Sequence, residues 1–159
     1  MLDSRRISYT AYELPVEKHG ALETAQLLNV EPASVFKTIV VTRDKPTSSQ
    51  KGKKPLLVIV PGPSSVDLKL LASVLNEKKV YMPTEREAEQ LTGLQAGGIS
   101  PLALINKGFQ VVLDNSAQEF SAIHVSGGQR GLNIKLPVID LIKLTNARLA
   151  VVSRMDEDR

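Results

Sequence analysis

Lys37 lies in "SVFKTIVV", residues 34 to 41, where a run of β-branched residues begins. An ammonium group gains nothing from burial along a strand, because desolvation favours its neutral form. On two-residue alternation Lys37 shares a face with Ile39 and Val41, while Thr38, Val40 and Thr42 occupy the other. Apolar residues on both faces imply a strand covered on both sides. Either the lysine head snorkels to water along its apolar stem, or it faces a pocket and awaits a phosphate or a carbonyl oxygen. Two glycine-rich turns bear on that choice. "TGLQAGGISP" carries Gly93, Gly97 and Gly98 ahead of Ser100, and "VSGGQRG" carries Ser126, Gly127, Gly128 and Gly131. Paired glycines let a ligand approach the backbone and can aim adjacent amides at an anion. Tight-turn geometry alone also accounts for them.

Several other chemistries have no residues to carry them. The chain has no cysteine, which removes disulfides, thiolate metal sites and a cysteine nucleophile, and leaves the reducing cytoplasm as the simplest home. No GxxxxGK[ST] loop occurs, and "SGGQRG" joins two expected strands instead of a strand and a helix, so it lacks the setting of a dinucleotide fingerprint. His19 and His124 are the two histidines and stand at no ligand spacing. A metal-independent site with no cofactor is therefore expected. His124, in "SAIHVS", shares a strand face with Ala122 and Ser126 and reads as a satisfied strand histidine; His19 reads as an exposed connector residue.

The elements that must position these residues follow from pattern. The length of 159 residues fits one domain. Apolar spacing predicts a helix over 20–29, with Leu22 and Ala25 on one side. Strands are expected at "KTIVVT", "PLLVIVP", "KKVYMP", "FQVVLD", "SAIHVS", "LNIKLP" and "ARLAVVS". A helix is expected in "SSVDLKLLASVLN", capped by Ser64 or Ser65 and turning Leu70, Leu71, Val74 and Leu75 inward. "TEREAEQLTG" has a capping box at Thr84 and Glu87 and a terminating Gly93. Pro137 opens a last helix as its first residue. This order does not alternate strand and helix, so the fold class is α+β: one domain, residues 1–159, with a mixed, mostly antiparallel, barrel-like sheet flanked by helices.

Between the first two strands, "RDKPTSSQKGKKP" holds five cations against Asp44. It reads as a flexible basic loop, residues 43–55, either simply solvated or touching phosphates. The tail 154–159 is expected to be disordered. A net charge of +3 is compatible with a polyanionic partner. No window reaches the roughly 20 apolar residues of a membrane span, so a soluble protein away from membranes is expected.

The ordered set "VFKTIVV", "TGLQAGGISPLAL", "AQEFSAIHVSGGQRGLNI" and "LPVIDLIKLTNARLAVV" resembles the YbaK/prolyl-tRNA-synthetase-associated editing family, and within it the free-standing Cys-tRNA(Pro) deacylases. The resemblance runs from about Tyr9 to Val152. It implies release of cysteine from tRNA(Pro) mischarged with it, alongside prolyl-tRNA synthetase. An alanine-specific deacylase on the same tRNA, and a tRNA- or synthetase-binding module without activity, are the alternatives. By resemblance, Lys37 is the essential pocket lysine, with Gly97 and Gly98 offering amides to the developing oxyanion. Tyr12, Phe36, Thr38, Ser126, Gly127 and Gly128 then line the substrate pocket. The chain has Leu94 where relatives often carry tyrosine and Ala103 where glycine is usual.

Overall fold

The apolar run at 56–60 forms the centre of the molecule. In a computed structural model, which describes residues 7–16, 20–44 and 54–156, the strand β3 (Leu56–Pro61) is buried along its whole length. It pairs antiparallel with β2 (Phe36–Val41) and parallel with β5 (Gln110–Asp114), which in turn pairs parallel with β8 (Arg148–Ala150). Both faces of this four-stranded sheet are covered, as its continuous apolar pattern requires. Leu57, Ile59, Val111 and Leu113 face one core, which α4 (Val138–Thr145) closes with Val138, Leu141 and Leu144. Leu56, Val58, Val60 and Val112 face the other, which α2 (Leu68–Val74) closes with Leu71 and Ala72.

A second, antiparallel sheet runs β1 (Thr10–Glu13), β7 (Leu132–Pro137), β6 (Ala122–Ser126). One parallel bridge, Val35 to His124, links it to the start of β2. The sheets therefore stay separate and open, and the expected barrel-like closure does not form. The α+β class, the mixed pairing and the antiparallel majority hold.

Other departures are local. Ser64–Val66 is not the start of a helix but a strand, β4, paired antiparallel with β9 (Ser153–Met155). The cap of α2 falls instead to Asp67, whose carboxylate accepts from the amides of Lys69 and Leu70 at 3.1 and 3.0 Å. Leu70 is consequently exposed, as is Leu22 on α1 (Ala21–Leu28), where Thr24 and Ala25 are the buried pair. The expected strand at "KKVYMP" is reduced to a bridge between Thr42 and Tyr81. Pro137 stands one residue before α4. β9 also corrects the expected tail: residues 153–155 are held by β4, while 157–159 lie outside the described residues, as do His19 and 45–53 of the basic loop. The capping box of α3 (Glu85–Thr92) forms as read: the Glu87 amide donates to Thr84 Oγ1 at 3.1 Å, and the Thr84 amide to Glu87 Oε1 at 2.9 Å.

Candidate active site

Where β2 begins, a cleft of about 110 Å³ opens between α1, the two glycine turns and β7. Lys37, Phe36 and Thr38 line it from β2, Gly97 and Ile99 from the first turn, and Ser126, Leu132 and Asn133 from β6 and β7. The start of β2 and the two glycine turns thus meet around one lysine.

Lys37 is half-buried, and its Nζ donates to the Gly62 carbonyl at 3.2 Å in the bend between β3 and β4. Burial lowers its pKa from the usual lysine value, and the charge of Asp156 opposes that shift. This placement sets the amine at the cleft wall, tied to the Gly62 carbonyl. An ammonium offers three donors; with one on Gly62, others remain for an anion in the cleft. Beside it, Thr38 Oγ1 is buried and has no hydrogen-bond partner among the described residues. A buried hydroxyl left unpaired costs about 1–3 kcal/mol.

The glycine turns are built for each other. A Cβ at Gly98 would stand 2.9 Å from the Gln129 carbonyl carbon and 3.0 Å from the Arg130 nitrogen, so the two turns pack backbone on backbone. Arg130 Nε ties them further, donating to the Ala96 carbonyl at 2.7 Å. Gly131, at φ +87°, brings in the end of β1 through a bond from the Leu14 amide to its carbonyl at 2.6 Å. This packing uses most of the amides expected to serve chemistry. The Gly98 amide donates to Gln95 O at 2.8 Å, that of Gly127 to Leu132 O at 2.8 Å, and that of Gly128 to Ser126 Oγ at 3.3 Å. Gly98, Gly127 and Gly128 therefore stand outside the lining as architecture, against the expectation that Gly98 aims an amide at the oxyanion. Gly97 lines the cleft, and among the described residues no hydrogen bond occupies its amide.

Tyr12 is likewise outside the lining. It sits on β1 opposite Asn133, with its ring 5.6 Å from that of His124. His124 is buried, and burial lowers its pKa although the bond to Asn133 opposes this. Its Nδ1 lies 2.9 Å from Asn133 Oδ1. A carbonyl oxygen only accepts, so Nδ1 carries a proton in this pairing. That bond leaves the Asn133 amide group as a donor for the cleft. His124 is thus the satisfied strand histidine that the pattern implied, and it orients a residue that sequence reasoning missed. The signal for Asn133 was present: an amide inside "LNIKLP", on the opposite face from Leu132 and Ile134.

At the far end of β2, Arg43 pairs with Glu77 at 2.9 Å and also bonds Gln110, so the first cation of the basic loop is tied to the fold.

The cleft offers one cation, three hydroxyl-bearing side chains (Thr24, Thr38 and Ser126) and the Asn133 amide around space for a small group, and no hydrogen bond joins Lys37 to any of those hydroxyls among the described residues. Among the described residues no three His, Asp or Glu side chains gather to hold a metal ion, and no helix is long and apolar enough to cross a membrane. The chain matches the model of the aminoacyl-tRNA editing domain over residues 16–144. It is 34% identical over 155 residues, 96% of this chain and 90% of the other, to EbsC of Enterococcus faecalis, described as a candidate Cys-tRNA(Pro)/Cys-tRNA(Cys) deacylase. Two crystal structures share the fold at 22% identity. One is of a hypothetical protein, with a TM-score of 0.83 and 96% of each chain covered. The other is of a candidate trans-editing enzyme for prolyl-tRNA synthetase, with a TM-score of 0.77 over 96% of this chain and 92% of that one. With the family model spanning most of its length and this relative matching nearly end to end, the chain belongs to the aminoacyl-tRNA editing domain family.

Proposed function

We propose that this protein is a trans-editing aminoacyl-tRNA deacylase that releases cysteine from tRNA(Pro), acting in the cytoplasm alongside prolyl-tRNA synthetase. One observation carries the reading: a half-buried lysine beside an unpaired buried threonine hydroxyl in a cleft sized for a small aminoacyl group. A site that selects proline discriminates weakly against small apolar competitors, because such differences are worth only about 1–3 kcal/mol, so a second site must remove the errors.

An aminoacyl ester is already activated, and modest assistance suffices. Lys37 holds the terminal phosphate or the ester carbonyl oxygen electrostatically, and the Gly97 amide with the Asn133 side chain supplies further donors to the developing oxyanion. The cleft lining has no side chain placed to act as a nucleophile with its own base. Our reading of the reaction is metal-independent and substrate-assisted: the cysteine thiol or a ribose hydroxyl attacks or directs water. If the thiol itself closes on the carbonyl, the ester bond to the ribose breaks and the first step is formally a lyase reaction.

The test is a deacylation panel of cysteinyl, alanyl and prolyl esters on the same tRNA, with wild type and Lys37→Ala. Fast release of cysteine, loss of that release in Lys37→Ala, and slow release of proline are expected. Faster release of alanine than of cysteine reassigns the substrate, and equal rates for wild type and Lys37→Ala remove the site.

A further inference from the structure

Asp156 follows directly after β9, and the strand pairing brings it back over the bend that receives Lys37. Its amide donates to the Pro63 carbonyl at 3.0 Å, next to the Gly62 carbonyl that accepts from Lys37 Nζ. Its carboxylate accepts from Ser65 Oγ, on β4. Backbone and side chain are thus fixed to Pro63, in the bend, and to Ser65, in the strand that leaves it. The other charged groups on neighbouring elements include Glu13 on β1, Glu23 on α1, Glu119 between β5 and β6, Arg130 between β6 and β7, Lys135 on β7 and Arg154 on β9. None of them lines the cleft, and the charge of the exposed Asp156 opposes the lowering of the Lys37 pKa by burial.

We propose that Asp156, pinned by Ser65, is the positioning counter-charge of Lys37, holding it as an ammonium ion on the Gly62 side of the cleft. The proposal rests on the catalytic reading of Lys37 for its purpose but not for its test. A desolvated lysine tends to lose its proton, and a neutral amine is a poor ligand for a phosphate or an oxyanion. A carboxylate set behind the bend opposes that loss, with burial still the larger effect, and does so without lining the cleft or occupying it. Its attachment to Ser65 keeps it from swinging into the position that a substrate anion must take. Lys37 is then charged before substrate arrives, and an incoming anion finds it in place. Asp156 acts on Lys37 through its charge and not on the reacting atoms.

The experiment reads the amine itself. Trace labelling with acetic anhydride across a pH series, followed by peptide mass spectrometry, reports the reactivity of Lys37 in wild type, Asp156→Asn and Ser65→Ala. In Asp156→Asn the onset of labelling should move to lower pH, with labelling on the rising limb faster by roughly threefold, the size of one partly screened charge pair. Ser65→Ala keeps the carboxylate but frees it; a smaller move in the same direction is expected, and this variant carries the test should Asp156→Asn not fold. Unchanged labelling profiles, or a move to higher pH, overturn the proposal. The alkaline limb of the deacylation rate should shift with the labelling profile. If labelling shifts while deacylation is absent even in wild type, the counter-charge stands and the enzymatic reading falls.

Discussion

Replacing Lys37 by methionine keeps most of the apolar stem and removes the charge, so it separates packing from chemistry. The Nζ of the wild type lies 3.2 Å from Gly62 O and is half-buried, at the wall of an open cleft. A charge-assisted hydrogen bond from such a group to an anion is worth about 1.5–3 kcal/mol. Because water reaches the cleft, the lower half of that range applies, about 1.5–2 kcal/mol. At about 1.4 kcal/mol per factor of ten, kcat/KM for deacylation should fall by roughly 10- to 30-fold. Stability should behave in the opposite way. The lysine's folded pKa lies below its ordinary value of 10.5, so the charged form is penalised in the fold, and Lys37→Met removes that penalty. Near neutral pH its melting temperature should equal or exceed that of wild type. As pH rises between the lowered folded pKa and 10.5, the unfolded chain retains the proton that the folded chain has released, and wild type gains stability relative to the variant. The assays are single-turnover deacylation of cysteinyl-tRNA and thermal melting of the same preparations. Activity within twofold of wild type, or an activity loss matched by a drop in melting temperature, would refute the assignment.

Two further outcomes follow from the packing. Gly98→Ala places a Cβ against backbone atoms of Gln129 and Arg130 at 2.9–3.0 Å, and such overpacking costs about 1–3 kcal/mol, to be read from urea unfolding. His124 is buried with a lowered pKa; below the ordinary histidine value of 6.5 the unfolded chain takes up a proton that the folded chain refuses. Stability should therefore fall on acidification through that window, more steeply in wild type than in His124→Gln, as measured by melting temperature against pH.

What could be read along the chain is what local physics decides. β3 announces itself because an unbroken apolar run between proline-bounded ends suits a strand buried on both faces. The α3 cap is legible because its two hydrogen bonds span three residues. Lys37 stood out because an ammonium in such a run demands an explanation. Elements made by distant pairing were not legible. β1 is a four-residue, largely exposed strand with no apolar alternation. β4 and β9 are three-residue strands that exist through each other across 91 positions. Serines preceding an apolar helical pattern read as caps, and here the distant partner outcompeted that local preference.

The same limit governs the glycines. Sequence shows which residues can let a ligand approach the backbone, but not whether another segment of the chain arrives first. At Gly98 the neighbour is the 127–131 turn, and at Gly127 it is the Leu132 side chain, whose Cγ would meet an added Cβ at 2.4 Å. Their close approach serves the fold, and by locking the two turns together it fixes Gly97 and Ser126 on opposite walls of the space that Lys37 faces. The donors for chemistry then come from residues whose polar groups the fold leaves unspent: the Lys37 ammonium, the Thr38 hydroxyl and the Asn133 amide. A site of this kind is preorganised by turns that do no chemistry. A small substitution at Gly98 should therefore depress catalysis by displacing Gly97, while leaving the Lys37 labelling profile close to that of wild type.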